Sequence, residues 1–244
     1  MSETGDKASA DAGRRTHLGE IAEDASGFGI SDLRLTRDLL VRPAQVMAAY
    51  DELGSTGGGR YPRPLRYYFI LNGVLLLVFG LTGGLDKTLS VMPPEIVDPL
   101  LKMSGKSRDS FLSDFDQWSG MLSIPTVTVI LAAALYQVIK RWSPRDSRTD
   151  FHQTFSFLNL WTLYQFPAAV LTQLYPQQFG LWSAPYMLAT AAVSFGLLGR
   201  DRWWFSRRGA IGKGVLLLLL IVVLMIPAAL ATYGLGLAAA VYLP

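Results

Sequence analysis

From Phe151 to Gly199 the chain contains no Lys, Arg, Asp or Glu, and charge is absent again from Gly214 to Pro244. Two more charge-free runs lie between Arg66 and Asp86 and between Asp116 and Lys140. A helix needs about 20 apolar residues to cross the hydrocarbon core of a bilayer. These runs therefore constrain the fold more than any other feature. They predict an all-α, polytopic membrane protein. The longest run exceeds one crossing, and Tyr175-Pro176-Gln177-Gln178-Phe179-Gly180 divides it, because Pro and Gly punctuate helices. Five transmembrane helices follow, at about 67–84, 119–139, 155–174, 181–198 and 214–242. The last is long enough to cross with tilt.

The Lys/Arg bias orients them. With the N-terminus inside, the inner segments take the basic residues up to Arg66, then Lys140, Arg141, Arg145 and Arg148, then Arg200, Arg202, Arg207, Arg208 and Lys213. The outer segments take only Lys87, Lys102, Lys106 and Arg108 of the 22 basic residues. This predicts a cytoplasmic N-terminus, a periplasmic C-terminus and a periplasmic loop over 85–118. Trp142, Trp203 and Trp204 beside the inner basic clusters, and Trp118 and Trp182 at the outer edge, read as interfacial belts.

Composition narrows the chemistry. Half of the 244 residues are apolar, which suits a helical bundle in lipid. The net charge of +3 comes from clusters at span ends, which argues against nucleic acid as a partner. There is no cysteine, so disulfides, thiolate nucleophiles and Cys-ligated zinc are excluded. His17 and His152 are the only histidines. No cofactor is expected. P-loop, Gly-x-Ser-x-Gly, His-Glu-x-x-His and dinucleotide motifs are all missing. The polar N-terminal segment lacks the apolar core of a signal peptide, and residues 1–30 read as a disordered or partner-bound tail.

Residues 31–56 suggest two short amphipathic helices. Ser31 suits a cap, Leu35, Leu39 and Leu40 repeat at helical spacing, and Pro43 suits the first turn of a second helix with Val46, Met47 and Tyr50. They read as interfacial helices on the inner leaflet, with the alternative that they pack on the inner face of the bundle. Candidate headgroup contacts are Arg34, Arg37, Arg42, Arg60, Arg63, Arg66, Arg207 and Arg208, with Trp203 and Trp204. Gly54–Gly59 lacks the Gly-Lys-Ser/Thr ending of a P-loop and reads as a flexible hinge. The 57–244 segment forms the membrane domain.

Polar residues inside spans commonly face the bundle or a cavity. Asn72, Gln137, Asn159, Thr162, Tyr164, Gln165 and Gln173 are such residues. Asn159, Thr162, Gln165 and Asn72 could line a polar cavity near a kink at Pro167, or act as interhelical hydrogen-bond glue. Asp114 and Asp116 could hold a divalent cation, though such spacing is common in acidic loops. His152 could handle protons or simply sit at the start of span 3. Small residues at Ala228, Thr232, Gly236 and Ala240, and at Gly80 and Gly84, form ridges that let helices approach closely, within the chain or between copies.

Leu35 to Asn72 resembles the signature of a large, uncharacterised bacterial integral-membrane family. Arg37, Asp38, Leu39, Leu40, Arg42, Pro43, Tyr50, Tyr61, Pro64, Arg66 and Tyr67 match its pattern, and the run from Arg148 with His152 looks like its second landmark. Many members begin with a Cys zinc ribbon, which this cysteine-free chain lacks. The layout is also similar to Yip-type five-span proteins, at the level of fold alone. The resemblance implies a helical membrane fold and carries no activity. The expected role is a non-enzymatic scaffold or accessory subunit in the inner membrane of a Gram-negative bacterium. It would bind partner proteins or lipids in a larger complex or homo-oligomer. The alternative is a small-molecule or lipid permease, or a lipid-modifying enzyme, with a polar cavity around span 3.

Overall fold

The computed structural model describes residues 29–81, 94–143 and 146–243. Among them are eight helices and no strand: α1 (Ile30–Val41), α2 (Pro43–Leu53), α3 (Pro64–Leu81), α4 (Pro94–Ser104), α5 (Arg108–Trp142), α6 (Ser147–Leu174), α7 (Pro176–Gly199) and α8 (Arg207–Tyr242). The expected tail up to residue 28, the outer end of the first span and the first part of the outer loop lie outside the described residues.

Local chemistry sets the helix ends. The Ser107, Asp146 and Ser206 side chains accept hydrogen bonds from the Ser110, Thr149 and Gly209 amides, so α5, α6 and α8 each start on a capped turn. Proline opens α2 and α7. The long α5 absorbs part of the expected 85–118 loop. The segment Arg108–Trp118, expected as loop, forms the first turns of a 35-residue helix. At 1.5 Å per residue α5 is about 50 Å long, longer than the ~30 Å hydrocarbon core.

Three helical segments are long and apolar enough to cross a membrane: Arg108–Trp142, Leu181–Gly199 and Arg207–Tyr242. Their apolar side chains point outward to a large extent. Only 17% of the most apolar stretch of α8 is buried, and Leu181 and Leu230 are 87% and 70% exposed. The described part of α3 is a shorter apolar helix. The segment over 155–174 belongs to α6, a 28-residue helix that is more polar and is not among the three.

That helix is the centre of the bundle. It contacts α1, α2, α3, α5 and α7, and every residue from 153 to 161 is buried. Its neighbours screen it on several sides, so its sequence need not be apolar. The main core joins Phe155, Phe157, Leu158, Leu160 and Trp161 of α6 to buried residues of the other helices.

The most extensive helix pair is α5 with α8. The ridge Ala228, Thr232, Gly236 and Ala240 is buried, so it serves a contact within the chain. A Cβ at Gly236 would sit 2.2 Å from Ser119 Oγ and 3.3 Å from the Phe115 ring. Gly234, two residues away, faces open space. Gly236→Val is therefore expected to force α5 and α8 apart and cost about 1–3 kcal/mol, seen as a lower melting temperature in mild detergent. Gly234→Val is expected to stay within about 0.5 kcal/mol of the parent.

Candidate functional site

The end of the bundle where α6 begins carries a seam of buried polar groups that ties α1 and α2 to it. Asp38 is its hub. Leu35 and Leu39 bury one face of α1 and carry Asp38 in with them. The carboxylate accepts from Arg37 Nε and Nη2 at 2.9 and 2.7 Å, from Arg60 Nη2 at 3.1 Å and from the Tyr61 hydroxyl at 2.9 Å. Burial pulls its pKa upward, but the hydrogen bonds from Arg37 and Tyr61 and the charges of Arg37 and Arg60 outweigh that pull, so it lies below the ordinary aspartate value. Burial and the bond to Asp38 push the Tyr61 phenol the other way, upward.

The glycine run makes this possible. It is an ordered turn, not a loose hinge: Gly57 N bonds Gly54 O at 2.8 Å and Tyr61 N bonds Thr56 O at 3.0 Å. Gly57 sits at φ +54°, and a Cβ there would lie 2.9 Å from the Tyr61 ring. The turn thus delivers Tyr61 to Asp38. Nearby, the Tyr50 hydroxyl donates to Pro62 O at 2.8 Å. The Thr36 and Tyr67 hydroxyls share a bond of 2.6 Å. Asp32 accepts from Gly29 N at 2.7 Å and lies 3.7 Å from Arg66 Nη2. Asp38, Tyr50, Tyr61, Arg66 and Tyr67, all in the pattern that carries the resemblance, meet in this one seam.

A second set of bonds reaches the α7–α8 connection. Asp51 accepts from Arg202 Nε at 2.9 Å and from Gln153 Nε2 at 3.1 Å. Gln153 Oε1 accepts from the Trp203 indole at 2.8 Å, and Lys213 Nζ donates to the Trp203 carbonyl. Trp203 departs from the expected headgroup belt. It is 1% exposed and stacks on Phe195 at 5.8 Å, edge-on to Phe157 at 6.1 Å. The cause is the tight turn after Gly199, in which Asp201 adopts φ +59° and the indole folds back over α6. Trp204 is half-buried beside it.

The remaining basic candidates divide in two. Arg34, Arg42, Arg63, Arg207 and Arg208 are exposed. Arg37, Arg60 and Arg66 bond inward while staying 69%, 53% and 46% exposed. The surface around the seam thus shows arginines. His152 lies half-buried among them, with no hydrogen-bond partner at either ring nitrogen. Burial first, then the Arg148 and Arg63 charges, hold its pKa below the ordinary value, which favours the neutral imidazole.

The other candidates fall elsewhere. Lys106 Nζ donates to Asp114 and to Leu243 O, both at 2.6 Å, which ties the outer loop to the end of α8. Asp116 is two residues further along α5, about 200° around the helix, so the two carboxylates do not converge. Among the described residues no group of three or more His, Cys, Asp or Glu is placed to hold a metal.

Asn72, Thr162 and Gln165 line a partly open cleft of about 230 Å³. Asn159 does not join them. It faces the inner end, where its Nδ2 donates to Pro64 O at 2.9 Å. Gln153, Asp51, Tyr61 and Asp38 drew no functional reading from the sequence. The signal was there in Asp38, a carboxylate set among leucines that repeat at helical spacing.

No family model, curated protein or solved structure matches the chain. The likeness drawn above therefore rests on the quoted residues alone.

Tyr61→Phe removes a bond to a buried carboxylate and is expected to cost about 1.5–3 kcal/mol, with faster amide exchange in α1 and α2 than in α5. Because the pKa of Asp38 is depressed on folding, its contribution is complete above the ordinary value of 3.8 and is lost as pH falls through the lower folded value. Titrating the same exchange from pH 7 to 5 should leave the difference in α1 protection between wild type and Tyr61→Phe unchanged, because the loss from protonating His152, whose pKa is lowered on folding, is common to both.

Proposed function

We propose that the protein is a non-enzymatic scaffold or accessory subunit of the bacterial inner membrane, crossing it five times with a cytoplasmic N-terminus. The three apolar helical segments supply three crossings. The described part of α3 begins a fourth, and α6 makes the fifth as the shielded centre of the bundle. The distribution of Lys and Arg supports the orientation.

One observation carries the scaffold reading. The seam fixes α1 and α2 rigidly on the bundle, yet α1 keeps a second apolar face outward, with Ile30 and Val41 59% and 68% exposed beside Leu33 and Leu40. Arg37 lies within that face, between Leu33 and Val41, while Arg34 borders it and Arg42 follows its end. A helix locked by one face and bare on the other is a docking platform. The occupant this arrangement suits is a membrane-protein partner seated against the inner leaflet, with the arginines meeting anionic headgroups at its rim.

A photo-reactive amino acid at Leu33 or Val41 tests this in native membranes. The expected result is a discrete protein adduct at both positions and none from Glu52, an exposed residue on α2. Labelling of lipid alone at all three positions overturns the scaffold reading.

A further inference from the structure

The cleft that Asn72, Thr162 and Gln165 line is independent of the inner platform. It lies between α3 and α5, which touch sparsely. The Tyr68 hydroxyl and Thr128 Oγ1, 2.9 Å apart, bridge the two helices. The inner end is closed. Tyr68 packs edge-on to Phe155 at 5.6 Å, and below that level Asn159 bonds Pro64. The cleft is therefore closed toward the end where Tyr68, Phe155 and Pro64 lie, the shape of a binding site rather than a conduit.

Its chemistry is unusual for a gap between apolar helices. No charged side chain lines it. Most of the wall is aliphatic, with Met187 and Met225 as adaptable surfaces. Two amides stand in that wall. Asn72, 6% exposed, uses one N–H on the Tyr68 carbonyl at 2.8 Å. Gln165 donates through Nε2 to Thr190 Oγ1. Each amide has two donor hydrogens and an accepting oxygen, so both have capacity beyond these bonds. In hydrocarbon such capacity is costly to leave unused. The volume decides how much of a ligand fits. Pockets that enclose a drug-sized molecule measure about 300–1,000 Å³, and this one holds about 230 Å³. It admits one end of a molecule whose remainder stays in the bilayer.

We propose that this cleft binds the polar end of an uncharged lipid, a hydroxyl or carbonyl at the terminus of a hydrocarbon chain, which enters sideways between α3 and α5. Asn72 and Gln165 hydrogen-bond its oxygen, and the Tyr68–Thr128 bond closes the pocket beneath it. A charged headgroup is excluded because nothing in the wall neutralises it. The proposal rests on α3 and α5 crossing the membrane, and the test separates the two.

The full chain in phosphatidylcholine nanodiscs is photolabelled with three diazirine probes of equal length, a fatty alcohol, an alkane and a fatty acid. The alkane reports embedding: it should label the outward face of α8 around Leu219 and Ile226, and its failure to do so would remove the membrane premise itself. The alcohol should in addition label peptides spanning 68–75 and 158–165, and an unlabelled alcohol should compete that signal away. The alkane and the acid should label those peptides about tenfold less, the worth of a hydrogen bond. Gln165→Leu should cut the alcohol signal by a similar factor, and Val127→Trp, which fills the wall, should abolish it. Equal labelling of the cleft by alcohol and alkane in the wild-type chain overturns the proposal, and that comparison needs no variant to fold.

Discussion

A packed interior leaves a polar side chain without water, and α6 carries Asp150, Gln153, Thr154, Ser156 and Asn159, all buried. The rest of the architecture answers that constraint. The neighbours α3, α5 and α7 lie against α6 and turn apolar side chains outward. At its N-terminal end, where lateral neighbours no longer suffice, α1 and α2 fold over it. Two of those polar groups find partners there, as Gln153 bonds Asp51 and Asn159 bonds the Pro64 carbonyl where α3 begins, while Thr154 and Ser156 bond carbonyls of α6 itself. A polar central helix and a polar inner cap are thus one arrangement.

The seam also explains why this cap is fixed. A buried carboxylate is stable only when its lone pairs are filled, and Asp38 meets that condition with donors from Arg37, Arg60 and Tyr61. Two of those donors lie beyond the glycine turn, so α1, α2 and the start of α3 hold each other in place. Removing a donor leaves the buried Asp38 carboxylate short of a partner, which costs more than the bond itself contributes, whereas Arg37 and Arg60 can turn to solvent. Arginines used in this way are only partly available to headgroups. That divides the basic residues into those that build the platform and those, such as Arg34, Arg42 and Arg63, that face outward from it.

The sequence made the helical class legible, because charge-free runs leave little choice, but the break expected over Tyr175–Gly180 shrinks to Tyr175 alone, since Pro176 opens α7 at once and Pro176–Gly180 are its first turn. It also marked Asn72, Thr162 and Gln165, since polar residues inside apolar runs stand out. It misplaced Asn159 and Trp203 for a common reason. Composition near a span end says which residues are present, while the direction each one faces depends on a turn elsewhere: the Pro64 carbonyl for Asn159, the Gly199–Asp201 turn for Trp203. The glycine run misled in the same way. Several glycines suggest slack, yet at Gly57 the small residue is there because Tyr61 packs against it. The role of Gln153 was not legible, because its partners Asp51 and Trp203 are distant in sequence.

Topology bears most directly on the account, and a cysteine-free chain makes it simple to measure. Single cysteines are placed at the exposed positions Leu53, Met103, Arg148, Gln178 and Phe205, and intact spheroplasts are treated with a membrane-impermeant maleimide. Five crossings with the cap inside require labelling of Met103→Cys and Gln178→Cys in intact cells, and of the other three only after permeabilisation. Labelling of Arg148→Cys from outside, or protection of Gln178→Cys, would mean that α6 does not cross the membrane, and the account of a shielded central helix would fail.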